Sequence, residues 1–209
     1  MIYDISPLVD ETTPIWPGDV PLSRTHQCRL SQGDSIDLSS LSSTVHIGAH
    51  ADAPSHFSLG GSSIDELDLT DYLGSCHVVS IKKDGEILPE DLLDCLKLQP
   101  KRVLIRTDSF DHNGPFKTKF AYFHHESIRL CGENGVRLIG IDTPSFDSFD
   151  SKNLDAHRTL LRFNIRNLEC LDLSKVSDGE YELVALPLKL KGFDASPVRA
   201  ILKTIESIP

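Results

Sequence analysis

No segment of this 209-residue chain approaches the run of about 18 apolar residues that a membrane-spanning helix needs, which excludes a helical membrane protein. Positive charge is also scarce. Lys plus Arg total 21 against 31 Asp plus Glu, a net charge of −10, and the basic residues come in nothing longer than pairs such as Lys82-Lys83. A phosphate backbone or an anionic membrane would be repelled, so neither is expected as a partner. The five cysteines, Cys28, Cys76, Cys95, Cys131 and Cys170, are odd in number and contain no C-x-x-C pair, which speaks against a disulfide framework or a thiolate zinc knuckle. Reduced, buried thiols are expected instead. The chain has no G-x-S-x-G nucleophile elbow, no G-x-x-x-x-G-K-[ST] phosphate loop and no G-x-G-x-x-G turn, so serine-hydrolase and nucleotide chemistry lack their usual carriers. Met1–Pro7 has neither a basic n-region nor an apolar h-region, and a cytoplasmic location is the expectation.

What is present is an ordinary globular composition, 39% hydrophobic and 25% charged, with no repeat and no Gly/Ser linker. One domain over residues 1–209 is expected, since single domains run to roughly 250 residues. Apolar, β-branched runs at Cys76–Ile81, Arg102–Thr107, Val136–Ile141 and Tyr181–Leu186 read as buried strands. Between them, Leu88-Pro89-Glu90-Asp91 opens one helix, and Ala121–Glu133, closed by Asn134-Gly135, reads as another. Ser196-Pro197 reads as the N-cap and first position of a C-terminal helix through about Ile205. The first quarter, punctuated by Pro7, Pro14, Pro17, Gly18 and Pro21, is expected to be loop and short edge strand. The fold class is α/β with a mixed β-sheet core.

The chemistry concentrates in His46-Ile47-Gly48-Ala49-His50-Ala51-Asp52-Ala53-Pro54-Ser55-His56, three histidines and an aspartate within eleven residues. Gly48, Pro54 and the preceding Ser-Thr-Val argue for extended chain rather than helix. A straight strand at about 3.3 Å per residue would separate His46 from Asp52 by roughly 20 Å, too far for one ion with ligands near 2 Å. The chain must therefore bend, and Gly48 is the natural place. Imidazole and carboxylate ligands suit Zn²⁺, and three or fewer protein ligands per ion leave a position for water, as a catalytic site requires.

This stretch resembles the H-x-G-x-H-x-D-x-P-x-H signature of the metal-dependent, cyclase-like hydrolases. The resemblance narrows to the bacterial kynurenine formamidases (arylformamidases) through Trp16-Pro17-Gly18-Asp19, Ile36-Asp37-Leu38-Ser39-Ser40, Gly140-Ile141-Asp142-Thr143-Pro144-Ser145 and Asp155-Ala156-His157. It continues through Ala185-Leu186-Pro187-Leu188 and Asp194-Ala195-Ser196-Pro197-Val198-Arg199 and so covers nearly the whole chain. It implies a swivelling β/β/α fold, a homodimer, and hydrolysis of N-formyl-L-kynurenine to L-kynurenine and formate in tryptophan degradation. It further implies two Zn²⁺ ions per subunit, with His46, His50 and Asp52 holding one, Asp52 bridging to the second, and His157 and Glu169 completing the pair. His56 is then the proton donor and acceptor, and Trp16 touches the substrate. Where family members often carry a second histidine after the one at 157, this chain has Arg158, which leaves open what holds the His157 ring.

An arylamine leaves poorly as an anion, so the reaction needs a proton delivered to nitrogen, a task suited to a histidine, which ordinarily titrates near pH 6.5. Phe57 joins Trp16 as a candidate flat wall for the aromatic ring. Which of Arg24, Arg106, Arg158 or Arg162 meets the substrate's carboxylate is left open. His26, His77, His112, His124 and His125 lack ligand spacing with the cluster and read as structural or surface residues. The principal alternative is another amide or lactone hydrolase of the same superfamily, cyclic-amide or isatin-type, using the same cluster. A binding module that keeps metal without turnover is disfavoured because His56 and every ligand are present.

Overall fold

The computed structural model describes residues 1–205. Strands β1 (Ile2–Asp4), β2 (Ser23–Cys28), β3 (Leu38–Ser42) and β4 (His50–Asp52) come first. They are followed by β5 (Leu73–Ser80), β6 (Glu86–Ile87), helix α1 (Pro89–Leu96), β7 (Arg102–Arg106), β8 (Tyr122–Phe123) and helix α2 (His125–Glu133). Strand β9 (Leu138–Ile141), helix α3 (Asp155–Phe163), β10 (Arg166–Leu168), β11 (Gly179–Val184), β12 (Ala195–Pro197) and β13 (Ile201–Thr204) complete the order.

Seven strands form one mixed sheet in the order β1-β13-β11-β5-β7-β9-β10. Strands β5, β7, β9 and β10 run parallel, as the strand-helix-strand rhythm of the sequence demands, and β11, β13 and β1 are added antiparallel. Period-two alternation divides the side chains between two cores. On β7, Val103 and Ile105 pack with Ile139, Phe146 and Leu160 beneath the three helices, whereas Leu104 faces the other way. There it meets Ala51, Leu138 and Leu168, because the antiparallel pair β4 and β12 covers that face. The layers are thus β/β/α, the expected α/β class with a mixed sheet.

The helix signals act as read at α1: Pro89 occupies the first turn, and the Asp91 carboxylate accepts from the Leu88 N–H at 2.8 Å. Helix α2 starts later than the sequence suggested, at His125, because Tyr122–Phe123 is drawn into pairing with β6 and the His124 ring caps the Glu126 N–H. Helix α3 has no counterpart in the sequence reading. The expected C-terminal helix is wrong. Ala195–Pro197 pairs with β4 and Ile201–Thr204 fits between β1 and β11, so sheet pairing overrides a local capping signal. The Ser196 hydroxyl accepts the Leu188 N–H rather than capping a helix. Cys76, Cys95, Cys131 and Cys170 are free and buried as expected, and Cys28 is half-buried.

Candidate metal centre

The strand that carries two of the candidate ligands is held at both edges. Along one edge β12 sets Ala195 opposite Asp52 and Pro197 opposite His50. On the other, His50 and Glu169 exchange two main-chain hydrogen bonds of 3.3 and 3.0 Å, which brings the residue after β10 against β4. Period two then turns His50 and Asp52 to the same side and Ala51 into the core. His46 lies outside the strand. Gly48, with φ of +57°, turns the chain back as expected, and the His46 and His50 rings come to 5.2 Å. His157 enters from the first turn of α3.

His50, Asp52, His157 and Glu169 are all at most 4% exposed, a degree of burial that two unpaired carboxylates would not tolerate. Their arrangement around Asp52 is two-sided. Asp52 Oδ1 lies 3.0 Å from His46 Nδ1 and 3.6 Å from His50 Nε2, and Oδ2 lies 3.6 Å from His157 Nε2. Glu169 closes the ring, with Oε2 at 3.4 Å from His50 Nε2 and Oε1 at 3.2 Å from His157 Nε2. Two donors bound tetrahedrally to one zinc ion sit about 3.3 Å apart, so these spacings are compatible with ligands around a cation.

The outer nitrogens settle the tautomers. His46 Nε2 faces Asp194 Oδ2 at 2.9 Å, His50 Nδ1 faces the Gly48 carbonyl at 2.8 Å, and His157 Nδ1 faces Asp147 Oδ2 at 2.6 Å. Each of those acceptors takes an N–H, so in the neutral rings, the form that binds a cation, the lone pairs of His46 Nδ1, His50 Nε2 and His157 Nε2 point inward. His50 Nε2 and Asp52 Oδ1 are buried with no hydrogen-bond partner. A divalent cation fits this donor set, because it would satisfy those two atoms and offset the two carboxylates.

The charge balance of the metal-free cluster agrees. Burial by itself would lower the pKa of His46, yet the Asp52, Asp194 and Glu169 carboxylates hold it up at about 9. His50 and His157 are likewise raised against burial, His50 by Glu169 and Asp52, His157 chiefly by Asp147. Burial would raise Asp52, Glu169, Asp147 and Asp194, but the neighbouring histidines lower all four. Protons on the imidazoles thus do in part what a cation would do.

His56 sits in a 3-10 turn over Pro54–His56, 4.2 Å ring to ring from His46, with its Nδ1 3.3 Å from the same Asp194 oxygen. These residues open into a cavity of about 570 Å³, within the range of small-molecule sites. Trp16 forms one wall, stacked on Phe149 at 4.9 Å and edge-on to Phe116 at 5.5 Å. Phe57 does not line the cavity and instead packs against the His157 ring at 5.2 Å. None of Arg24, Arg106, Arg158 and Arg162 reaches it: Arg106 binds the Val176 carbonyl, Arg24 binds Ser39, and Arg158 and Arg162 lie exposed on α3.

Comparison with known proteins agrees with this geometry. A family model described as "Putative cyclase" matches residues 3–148, well over half of the chain. The chain belongs to this Cyclase family. Its fold matches that of a protein described as a "potential metal-dependent hydrolase with cyclase activity", at 28% identity and a TM-score of 0.84 over 97% of this chain and 96% of the other. A "predicted metal-dependent hydrolase from Bacillus stearothermophilus" matches at 27% identity and a TM-score of 0.81, over 97% of each chain. Isatin hydrolase A from Labrenzia aggregata shares the fold at 24% identity and a TM-score of 0.79, over 97% of this chain and 93% of that one. Within this Cyclase chain, sequence reasoning passed over Asp147 and Asp194, the carboxylates that orient His157, His46 and His56. Asp194 opens the Asp194–Arg199 stretch that carries the family resemblance, yet nothing in its spacing points to His46 or His56. Asp147 carried no signal, since only the fold brings it to His157 and so fills the gap that Arg158 left open.

Proposed function

We propose that the chain is a zinc-dependent amidohydrolase that releases formate from N-formyl-L-kynurenine. The observation that supports this most is the convergence of three imidazoles on two buried carboxylates beside a further histidine held by Asp194, in the lining of an aromatic-walled cavity. His46, His50, Asp52, His157 and Glu169 would hold two zinc ions. Zinc bound there supplies Lewis acidity to the formyl carbonyl and lowers the pKa of water to about 7.

The remaining work falls to the chain's own side chains. With the His56 Nδ1–H donated to Asp194, Nε2 carries the lone pair that takes a proton from the attacking water. The same nitrogen then returns a proton to the arylamine as the tetrahedral adduct collapses. Trp16 packs on the benzoyl ring, an aromatic contact that adds about 0.5–1.5 kcal/mol to burial.

A second reading, opening of a cyclic amide of the isatin type, is favoured by one observation: among the described residues no Lys or Arg lines the cavity, and a neutral lactam needs none. Zinc-loaded protein is therefore assayed with N-formyl-L-kynurenine and with isatin, alongside His56→Ala. Turnover of the formamide that falls about 10²–10⁴-fold in His56→Ala is the expected result. Isatin opening without formate release would transfer the assignment to the second reading. The homodimer and a cytoplasmic location belong to the same proposal; light scattering of the purified protein tests the first.

A further inference from the structure

The polar lining of the cavity carries a charge rule. Among the described residues four carboxylates line it, Asp19, Asp52, Glu169 and Asp194, and no Lys or Arg does. Three of the four are engaged by histidines: Asp52 and Glu169 by the cluster, Asp194 by His46 and His56. Asp19 is the exception. It is exposed, and only its backbone is committed, its N–H bonding to the Trp16 carbonyl at 3.0 Å.

That hydrogen bond closes a tight turn over Trp16-Pro17-Gly18-Asp19, with Pro second and Gly18 third at φ of +100°, the sequence and dihedral of a type II turn. The turn presents both its first and last side chains to the cavity, so the indole wall and a free carboxylate are fixed together. His50 and Asp52, whose Nε2 and Oδ1 have no hydrogen-bond partner among the described residues, line the same cavity, and on the reading above the reacting bond sits beside the cation they would hold. Asp19 is both exposed and part of the lining, so it stands where the cavity meets solvent, within the same lining as the wall on which an aryl amide would rest.

We infer that Asp19 is a specificity-determining residue that receives an ammonium group on the substrate's side chain, and that the site disfavours a substrate whose only side-chain charge is a carboxylate. This rests on the aryl-formamide reading above. For N-formyl-L-kynurenine, a zwitterion, Asp19 would hold the α-ammonium and leave the α-carboxylate directed to solvent.

Four ortho-formamido aryl ketones differing only in side chain test it: the zwitterionic N-formyl-L-kynurenine, its amine analogue lacking the carboxylate, its carboxylate analogue lacking the amine, and neutral 2'-formamidoacetophenone. In the zinc-loaded wild type the amine analogue is expected to exceed the carboxylate analogue in kcat/KM by about tenfold, mostly through KM. Asp19→Asn should lower kcat/KM for the amine and the zwitterion about fivefold, the size of a partly solvated ion pair, and leave the neutral ketone unchanged. Equal turnover of the carboxylate and amine analogues, or a loss in Asp19→Asn shared by the neutral ketone, overturns the inference. A preferred carboxylate analogue would do the same and point to a cation supplied by a partner subunit. If none of the four is hydrolysed the formamidase reading falls by itself. The charge rule is then read on isatin against isatin-5-carboxylate, where equal kcat/KM overturns it.

Discussion

Asp194 accepts hydrogen bonds from His46 at 2.9 Å and His56 at 3.3 Å through one oxygen, so a single carboxylate orients a candidate ligand and the candidate proton carrier. Its own side chain is 46% exposed, and removing it should cost the fold little. Asp194→Asn is expected to lower activity by about 10–100-fold, the usual penalty for losing a ligand's orienting partner, while the melting temperature stays close to wild type. Steady-state kinetics with a thermal melt on the same sample checks this. Asp147 has the corresponding place behind His157, but it is buried and also accepts the Ala156 and His157 N–H groups at the start of α3. Asp147→Ala should therefore reduce both activity and stability. That pairing of losses separates a carboxylate that builds the fold from one that only orients a ring.

At the scale of elements, the site depends on where short segments turn. Gly48 bends the chain between His46 and His50, and an added Cβ would meet Val9 Cγ2 at 2.5 Å. The end of a valine side chain can shift, so the larger penalty for Gly48→Ala is the left-handed backbone, about 1–2 kcal/mol. Chemical denaturation should show that loss, and zinc content should fall with it as His46 is displaced. The loops after β7 and β9 are tied by Asp142, whose carboxylate accepts from the Thr107 N–H, the Thr107 hydroxyl and the Asp108 N–H at 2.6–2.8 Å. Burial pushes the Asp142 pKa up despite those bonds. The folded protein thus holds this proton more tightly than the unfolded chain, and ionised Asp142 costs stability above its folded pKa. As pH falls through that value the cost is relieved, so wild type should gain on Asp142→Asn. Denaturation of both proteins across the acid range measures the difference, and a gap that does not change with pH would contradict it.

For the whole molecule, the α/β class was legible in the sequence, and the residues of the candidate cluster could be picked out more readily than the course of the chain around them. The four predicted strands and α1 rest on strong local signals, apolar β-branched runs and a Pro-acid helix start, and they appear with edges shifted by a few residues. The C-terminal segment misled because Ser196-Pro197 is a good helix opening in isolation, whereas in the fold it is needed as the partner of β4. His46, His50, Asp52 and His56 were legible because eleven residues carry them all. Glu169 and His157 were legible only by resemblance, since it is the main-chain bridge from His50 to Glu169 and the placement of α3 that bring them in. A cluster assembled from three separate stretches, residues 46–52, His157 and Glu169, would also tie metal to stability: zinc at about 100 times its dissociation constant would add about 2.7 kcal/mol, so chelation should lower the melting temperature.

If oriented histidines and buried carboxylates hold the metal that drives hydrolysis, activity must follow metal content, and one titration tests this. Metal-free protein is supplied with Zn²⁺ while bound zinc and kynurenine release from N-formyl-L-kynurenine are followed together. Activity that rises in step with zinc and levels at about two ions per chain is the expected result. Full turnover by protein that holds no metal would contradict it.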